Sequence, residues 1–327
     1  KDLLHPKVKM PTTIGYGNGY QISYMNSGKM TNKGWEFRVD AVPFQNKDWR
    51  VGVYFNIAHN ENKITEMPDN YIEENYTFGN GNYAYRREEG RPMGSFYGYR
   101  YKGVYQNKDA TYARDIEGNV MKDISGNAIV MRNGSYTVAP GDAIYEDVNH
   151  DGVINQYDIV YLGNSNPRLT GGAGLNVSYK QFKLSAIFYG RYGQDVVNAT
   201  RLNNESMRGI DNQSTAVLRR WRNEGDQTDI PRALYGEGYN TLGSDRFVED
   251  ASYLRLKSLS FTYRLPKKAI QRWGFNNIDV YVTGYNLFTW TNYTGQDPEV
   301  KTENTYAKDT ATTPASIQLV AGFNLSF

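Results

Sequence analysis

The 327-residue chain has no cysteine, three histidines, eleven prolines and no long apolar run. Without cysteine, a disulfide framework and a zinc–thiolate centre are both excluded. The histidines, His5, His59 and His150, are too scattered to argue for a triad or a zinc site. A net charge of +2, with no basic face concentrated anywhere, argues against a nucleic-acid partner. Nothing approaches the roughly 18 consecutive apolar residues of a membrane helix, so helical spanning is excluded. Spanning by strands stays open, because a barrel strand hides its apolar residues at every second position. The start, Lys1-Asp2-Leu3-Leu4-His5, carries no basic-then-apolar signal segment. The expectation is a mature chain or one that begins partway through a longer protein.

What is abundant points elsewhere. Twenty-eight tyrosines and 32 glycines indicate strands and turns rather than helices. Strict alternation recurs along the chain. Residues 35–42 place Trp35, Phe37, Val39 and Ala41 on one face and Glu36, Arg38 and Asp40 on the other. After the polar turn at Asn46, residues 49–58 align Trp49, Val51, Val53, Phe55 and Ile57 against Arg50, Gly52, Tyr54, Asn56 and Ala58. The pattern returns in Ala173, Leu175, Val177 and Tyr179, and after Lys180-Gln181 in Phe182, Leu184, Ala186 and Phe188. Further segments follow at about 253–265 and 277–287. The last carries Ile317, Leu319, Ala321, Phe323, Leu325 and Phe327 on one face.

Each run is close to the 9–11 residues of a tilted membrane strand. A soluble sandwich also packs one face of each strand against a core, but its turns recur every 8–12 residues. Here short connections near 45, 180 and 270 alternate with long ones at 60–170, 191–252 and 288–315. Short turns at one end and long loops at the other are how outer-membrane barrels are built. The fold class expected is therefore all-β, an antiparallel transmembrane β-barrel segment of about seven spanning strands with long extracellular loops. Short turns on the periplasmic side would also place the C-terminus there. Seven is odd, and an unclosed sheet in lipid leaves unpaired backbone groups on two edges, so the barrel should be larger than this chain.

The sharpest short motif runs from Asp147 to Asp158. Asp147, Asn149 and Asp151 supply oxygens at positions one, three and five of a calcium loop, and Gly152 permits the sharp turn. The Val153 carbonyl falls at position seven, Asn155 at nine, and Asp158 occupies the last position in place of the usual glutamate. The alternative is a metal-free Asx-rich turn. His150 reads as an exposed residue that does not ligate. The acidic pairs Glu73-Glu74 and Glu88-Glu89 read as solvated surface rather than a glycosidase pair. Gly79-Asn80-Gly81 and Gly171 to Gly174 resemble phosphate loops only superficially, and the second set reads as the start of a strand. Residues 214–222 read as one short helix, N-capped by Ser214, with Val217, Leu218 and Trp221 on a face packed against its own loop. The loop aromatics Tyr71, Tyr76, Phe78, Tyr83, Tyr85, Phe96, Tyr97, Tyr99 and Tyr101 could stack on sugars or peptides, yet read mainly as glue between loops. No catalytic site emerges, and the chain reads as a non-enzyme.

Five stretches, taken together, resemble one family. They are Asn32-Lys33-Gly34-Trp35-Glu36 with Phe55 to Asn60; Gly94 to Tyr99 with Gly103 to Asn107; and Pro140-Gly141-Asp142 to Asp158 with Gly163 to Pro167. The others are Tyr253 to Lys257 ending in Tyr263 to Pro266, and Gly284 to Thr289 continuing from Tyr293 to Glu299. In order and spacing they resemble the C-terminal part of SusC/RagA-like TonB-dependent outer-membrane transporters. The resemblance implies a plugged barrel of 22 strands, driven by the TonB system and lidded by a SusD-like lipoprotein. It implies import of large nutrients, oligosaccharide (glycan) or peptide, through a protein embedded in outer-membrane lipid. On that reading residues 1–34 are an extracellular lead-in and 35–327 the barrel part, with the plug and TonB-contact segment lying outside this chain. Ca2+ would stiffen the 147–158 loop. A secreted, calcium-stabilised carbohydrate-binding or hydrolytic β-protein is the competing class, and a passive porin a third.

Overall fold

Strict alternation builds a single antiparallel meander of seven long strands. In the computed structural model these are β1 (Lys29–Gln45), β2 (Trp49–Glu66), β3 (Leu169–Tyr179), β4 (Phe182–Tyr192), β5 (Tyr253–Arg264), β6 (Asn277–Thr291) and β7 (Gln318–Ser326). Each pairs with its sequence neighbour, and Asp2–Leu4 adds a short edge pairing to the start of β1. The structure describes residues 2–4, 7–12, 21–26, 28–67, 78–236, 238–303 and 306–327. Among the described residues nothing joins β7 back to β1, so the sheet is open.

The tight connections form as their residues dictate. Asn46 Oδ1 accepts the N–H groups of Asp48 and Trp49, an Asx turn that closes β1–β2. Lys180 sits at φ 50° in the β3–β4 turn. Gly171 to Gly174 lie inside β3. The ring of Tyr54 lies across the strand where a Cβ at Gly174 would be, its Cε1 only 1.9 Å from that position. An aromatic over a glycine in this way pins strand register.

Three strands overrun the expected ends. β1 starts at Lys29 rather than at 35, while β2 continues to Glu66 and β6 to Thr291. The extensions of β1 and β2 carry polar residues on both faces, such as Asn32 opposite Asn62 and Lys33 opposite Glu61. A reading based on apolar alternation stops where the apolar band stops, although backbone pairing continues beyond it.

The buried apolar core lies in the loops, not in the sheet. Tyr97, Tyr99, Tyr105, Met131, Ile154 and Leu242 belong to one cluster assembled from the β2–β3 and β4–β5 connections. Tyr83, Phe96, Val197, Leu202 and Phe247 form a second, against which Tyr306 of the β6–β7 connection packs. The three long loops thus share cores and form one roof over one end of the sheet. Residues 214–222 differ from the expected helix: a short 3-10 turn, Thr215–Arg219, replaces it, with Ser214 Oγ accepting from Ala216 N. Val217 is buried with Met207 and Ile230, whereas Leu218 is exposed. Consecutive residues cannot share one face of so short a turn. Packing against its own loop holds for Val217, whereas the Trp221 ring lies against Gly141 of the β2–β3 connection.

Candidate functional site

The two faces of the sheet differ completely in chemistry, and the register shows that neither is accidental. Val39, Phe55, Ala173, Phe188 and their neighbours sit opposite one another from β1 to β4, and Phe261, Val282 and Ala321 continue the row through β5 to β7. This band is bare: Phe37 is 54% exposed, Val282 50% and Phe323 66%. So wide an apolar surface on a water-soluble monomer would be an aggregation hazard. Aromatic residues border it at both ends. Trp35, Tyr192 and Trp290 stand on the loop side, while Trp49 packs against Tyr179 and Phe182 against Tyr263 on the turn side. Two aromatic girdles flanking an apolar band are the marks of a strand-built membrane span.

The opposite face is polar and internally bonded. Arg38 pairs with Asp40 at 2.6 Å, Ser185 Oγ donates to Asn176, Ser260 meets Thr283 at 2.7 Å and Arg264 pairs with Asp279 at 2.7 Å. Near the roof this face carries a charged cluster. Buried Arg255 binds Asp297 and, at 2.9 Å, Glu299, which Lys257 also reaches at 3.0 Å. These contacts turn the β6–β7 loop back over the polar wall. Burial alone would raise the Asp297 carboxyl, but N–H bonds from Ala315 and Glu299 and the Arg255 guanidinium hold it below the usual range.

The roof has its own polar anchor. Fully buried Asp142 accepts from Arg232 Nε at 2.7 Å, Asn240 Nδ2 at 3.1 Å and Tyr136 Oη at 2.9 Å, stitching two long loops together. Burial and the Asp142 charge push the Tyr136 hydroxyl up to about 12.

The 147–158 segment folds as a tight oxygen-lined loop. Gly152 takes φ +81°, as its place in the motif requires, and its N–H donates to Asp147 Oδ2 at 2.8 Å. Asn149 and Asp151 are joined through Asn149 Nδ2 to Asp151 Oδ2 at 2.9 Å. Asn155 Nδ2 donates to the Val153 carbonyl at 3.0 Å. Asp158 is buried and accepts from Val148 N and Asn155 N, each at 2.8 Å. Its pKa is raised by burial, and the nearby negative charges of Asp147 and Asp151 add to the shift. The loop offers side-chain and carbonyl oxygens, the ligand type calcium takes, with both Asp158 oxygens and Asn155 Oδ1 occupied by backbone N–H groups. In the arrangement shown, no three Asp, Glu or His side chains among the described residues gather closely enough to hold a metal.

No family model matches the chain. It is 32% identical over 311 residues to TonB-dependent receptor P3 of Formosa agariphila, a match over 93% of this chain and 28% of that protein. It is 28% identical over 335 residues to TonB-dependent receptor SusC of Bacteroides thetaiotaomicron, over 100% of this chain and 29% of that receptor. The RagAB peptide importer in its closed-closed state superposes with a TM-score of 0.69 at 27% identity, covering 94% of this chain and 30% of that one. The chain is a SusC/RagA-like TonB-dependent receptor segment. It spans less than a third of the length of the relatives it matches.

The resemblance motifs of this TonB-dependent receptor segment now have structural explanations. Gly284 to Thr289 lies in β6, where Asn286 at φ 52° forms a bulge against β5. The parity change falls in β5, where Leu254 faces the apolar side on one side of Lys257 and Leu259 and Phe261 face it on the other, and Phe288 and Trp290 keep the even parity of Val280 and Val282. Tyr293 to Glu299 is the segment held by Arg255. Gly94 to Tyr99 supplies Phe96, Tyr97 and Tyr99 to the roof core, and Tyr83 and Tyr85 are buried there too. Loop aromatics therefore act as glue, although Tyr71 and Tyr76 lie outside the described residues. His59 bonds the Arg168 carbonyl at 2.7 Å and His150 takes φ 55° with an Arg114 carbonyl 3.4 Å away, while His5 lies outside the described residues. Glu88 accepts from Tyr97 Oη and Glu89 from Met67 N. Glu73-Glu74 lies outside the described residues. The sequence reading missed the Arg255 cluster, whose signal was the pair of like charges, Arg255 and Lys257, at the loop end of a strand otherwise uncharged up to Arg264.

Proposed function

We propose that this segment forms one wall of a plugged outer-membrane barrel that imports large nutrients, glycans or peptides, with energy delivered by the TonB system. The single observation that supports it most is the sheet itself, apolar and girdled outside, polar and cross-bonded inside, with every long loop gathered at one end. The loop roof would be extracellular, the short turns and the end of β7 periplasmic, and a SusD-like lipoprotein would rest on the roof. The free edges of β1 and β7 would pair with strands of the receptor beyond this chain, which would also carry the plug and the TonB-contacting segment. That RagAB, a peptide importer, superposes on the chain supports the transport reading. The test is made on the whole receptor in its native host. It should fractionate with outer membranes, need detergent for extraction and bring its lipoprotein partner with it, and uptake should stop when TonB is deleted. Release into the soluble fraction without detergent would favour a secreted β-protein instead.

Calcium would be held by the side-chain oxygens of Asp147, Asn149, Asp151, Asn155 and Asp158 and the Val153 carbonyl, and would stiffen the loop by neutralising its carboxylates. Millimolar Ca2+ is expected to stabilise the roof by about 2.7 kcal/mol once it reaches a hundredfold over Kd. Asp151→Asn should abolish the gain. Thermal unfolding with calcium and with chelator measures both.

A further inference from the structure

Directly opposite each other on the apolar face, one outward position from the loop-side girdle, stand two glycines, Gly171 on β3 and Gly190 on β4, flanked by Ile57 and Leu254. Each is tied to close backbone approach: a Cβ would come within 2.7 Å of the Asn56 carbonyl at Gly171, and of the Tyr253 carbonyl at Gly190. Two outward side chains are therefore missing from the band at one spot. The result is an apolar groove of about 540 Å³, floored by these glycines and Ala173 and walled by Phe55, Phe188 and Trp290. That lies within the roughly 300–1,000 Å³ of ligand pockets. A polar chamber of about 600 Å³ sits at its roof end, and Tyr192 lines both. The chamber carries both signs of charge, Lys63 and Arg168 against Glu61, Asp195 and Asp250.

We propose that groove and chamber together bind one membrane lipid with a zwitterionic headgroup, an acyl chain in the groove and the headgroup in the chamber. The inference rests on the membrane reading above. β3 and β4 are central strands, so no further strand of a barrel can cover the groove, and hydrocarbon is what faces the rest of the band. An anionic headgroup would meet three carboxylates, whereas a zwitterion pairs with both signs. Tyr192, 61% exposed at the junction, is the amphipathic residue that suits a boundary between chain and headgroup.

The test uses the whole receptor with its partner, purified in mild detergent, offered equal amounts of phosphatidylethanolamine and phosphatidylglycerol and weighed by native mass spectrometry. Wild type should retain phosphatidylethanolamine. Ala173→Phe, which fills the groove, should retain about tenfold less. Ala321→Phe, the same change on the band at β7, should match wild type. Lys63→Glu, an exposed change that leaves the groove intact, should also lower retention and serves if Ala173→Phe does not assemble. Equal retention by wild type and the groove and chamber variants, or preference for phosphatidylglycerol, overturns the lipid site while leaving the membrane reading standing. Recovery of the receptor without detergent overturns both.

Discussion

Val53→Arg should cost the receptor about 2–4 kcal/mol and sharply reduce its abundance in the outer membrane. Val53 lies between Trp49 of the turn-side girdle and His59, which pairs with Trp35 of the loop-side girdle, and is itself paired with Ala41 and Leu175 inside the apolar band. Arginine there must either lose its hydration in hydrocarbon or distort the bilayer to keep it. The outcome depends on what covers this face. Val53 is 36% exposed, so if the face stood bare in water the arginine would be solvated and the effect would stay within about 0.5 kcal/mol. The matched control is Ser185→Arg on the polar wall, where the loss is the hydrogen bond to Asn176, about 1 kcal/mol. Urea titration in vesicles, together with outer-membrane abundance, reads the difference. Equal tolerance of both arginines would remove the basis for the membrane assignment.

How much of this was legible in the sequence depends on range. Alternation is a local property, and it placed Trp35 to Ala41 and Val51 to Ile57 on one face, as the register of β1 and β2 has them. The alternation of short turns with long loops also survived, because turn chemistry at Asn46 and Lys180 is local too. Period alone cannot assign faces where parity changes inside a strand. Lys257 and Asn286 lie at a bulge between β5 and β6, and only pairing reveals that Leu254 and Leu259 face the same side. Residues 214–222 were misjudged because a buried Val217 and an exposed Leu218 depend on the distant Ile230, not on helical spacing. The roof core was visible as a list of aromatics but not as an assembly. Phe96 meets Tyr306 across 210 positions of sequence, and no periodicity records that contact.

Arg255→Met should release the β6–β7 loop from the polar wall, at a cost of about 3–5 kcal/mol. The Arg255 side chain is 3% exposed and donates to Asp297, Glu299 and Thr289, so removing it takes the ion pair from Asp297 and leaves Glu299 to Lys257. Hydrogen exchange at residues 295–303 and 306–315 should accelerate by roughly a hundredfold to several thousandfold, since each 1.4 kcal/mol is a factor of ten. Neutralising the partners as well, with Asp297→Asn and Glu299→Gln, should recover part of the loss, because the penalty comes from unpaired charge more than from the missing bond. The pH dependence has a fixed sign. Asp297 is held below its unfolded value, so its contribution is present above the ordinary carboxylate range and is lost as pH falls through the lower folded value. Wild-type protection of the loop should therefore fall in acid, and Arg255→Met should flatten that fall, since the guanidinium is one of the groups that lowers Asp297. A loop that stays protected in Arg255→Met would show that its shared core of Val196, Ala251, Tyr293 and Ala307 holds it without the ion pairs. The charged cluster would then belong to the lining of the wall and not to the anchoring of its loop.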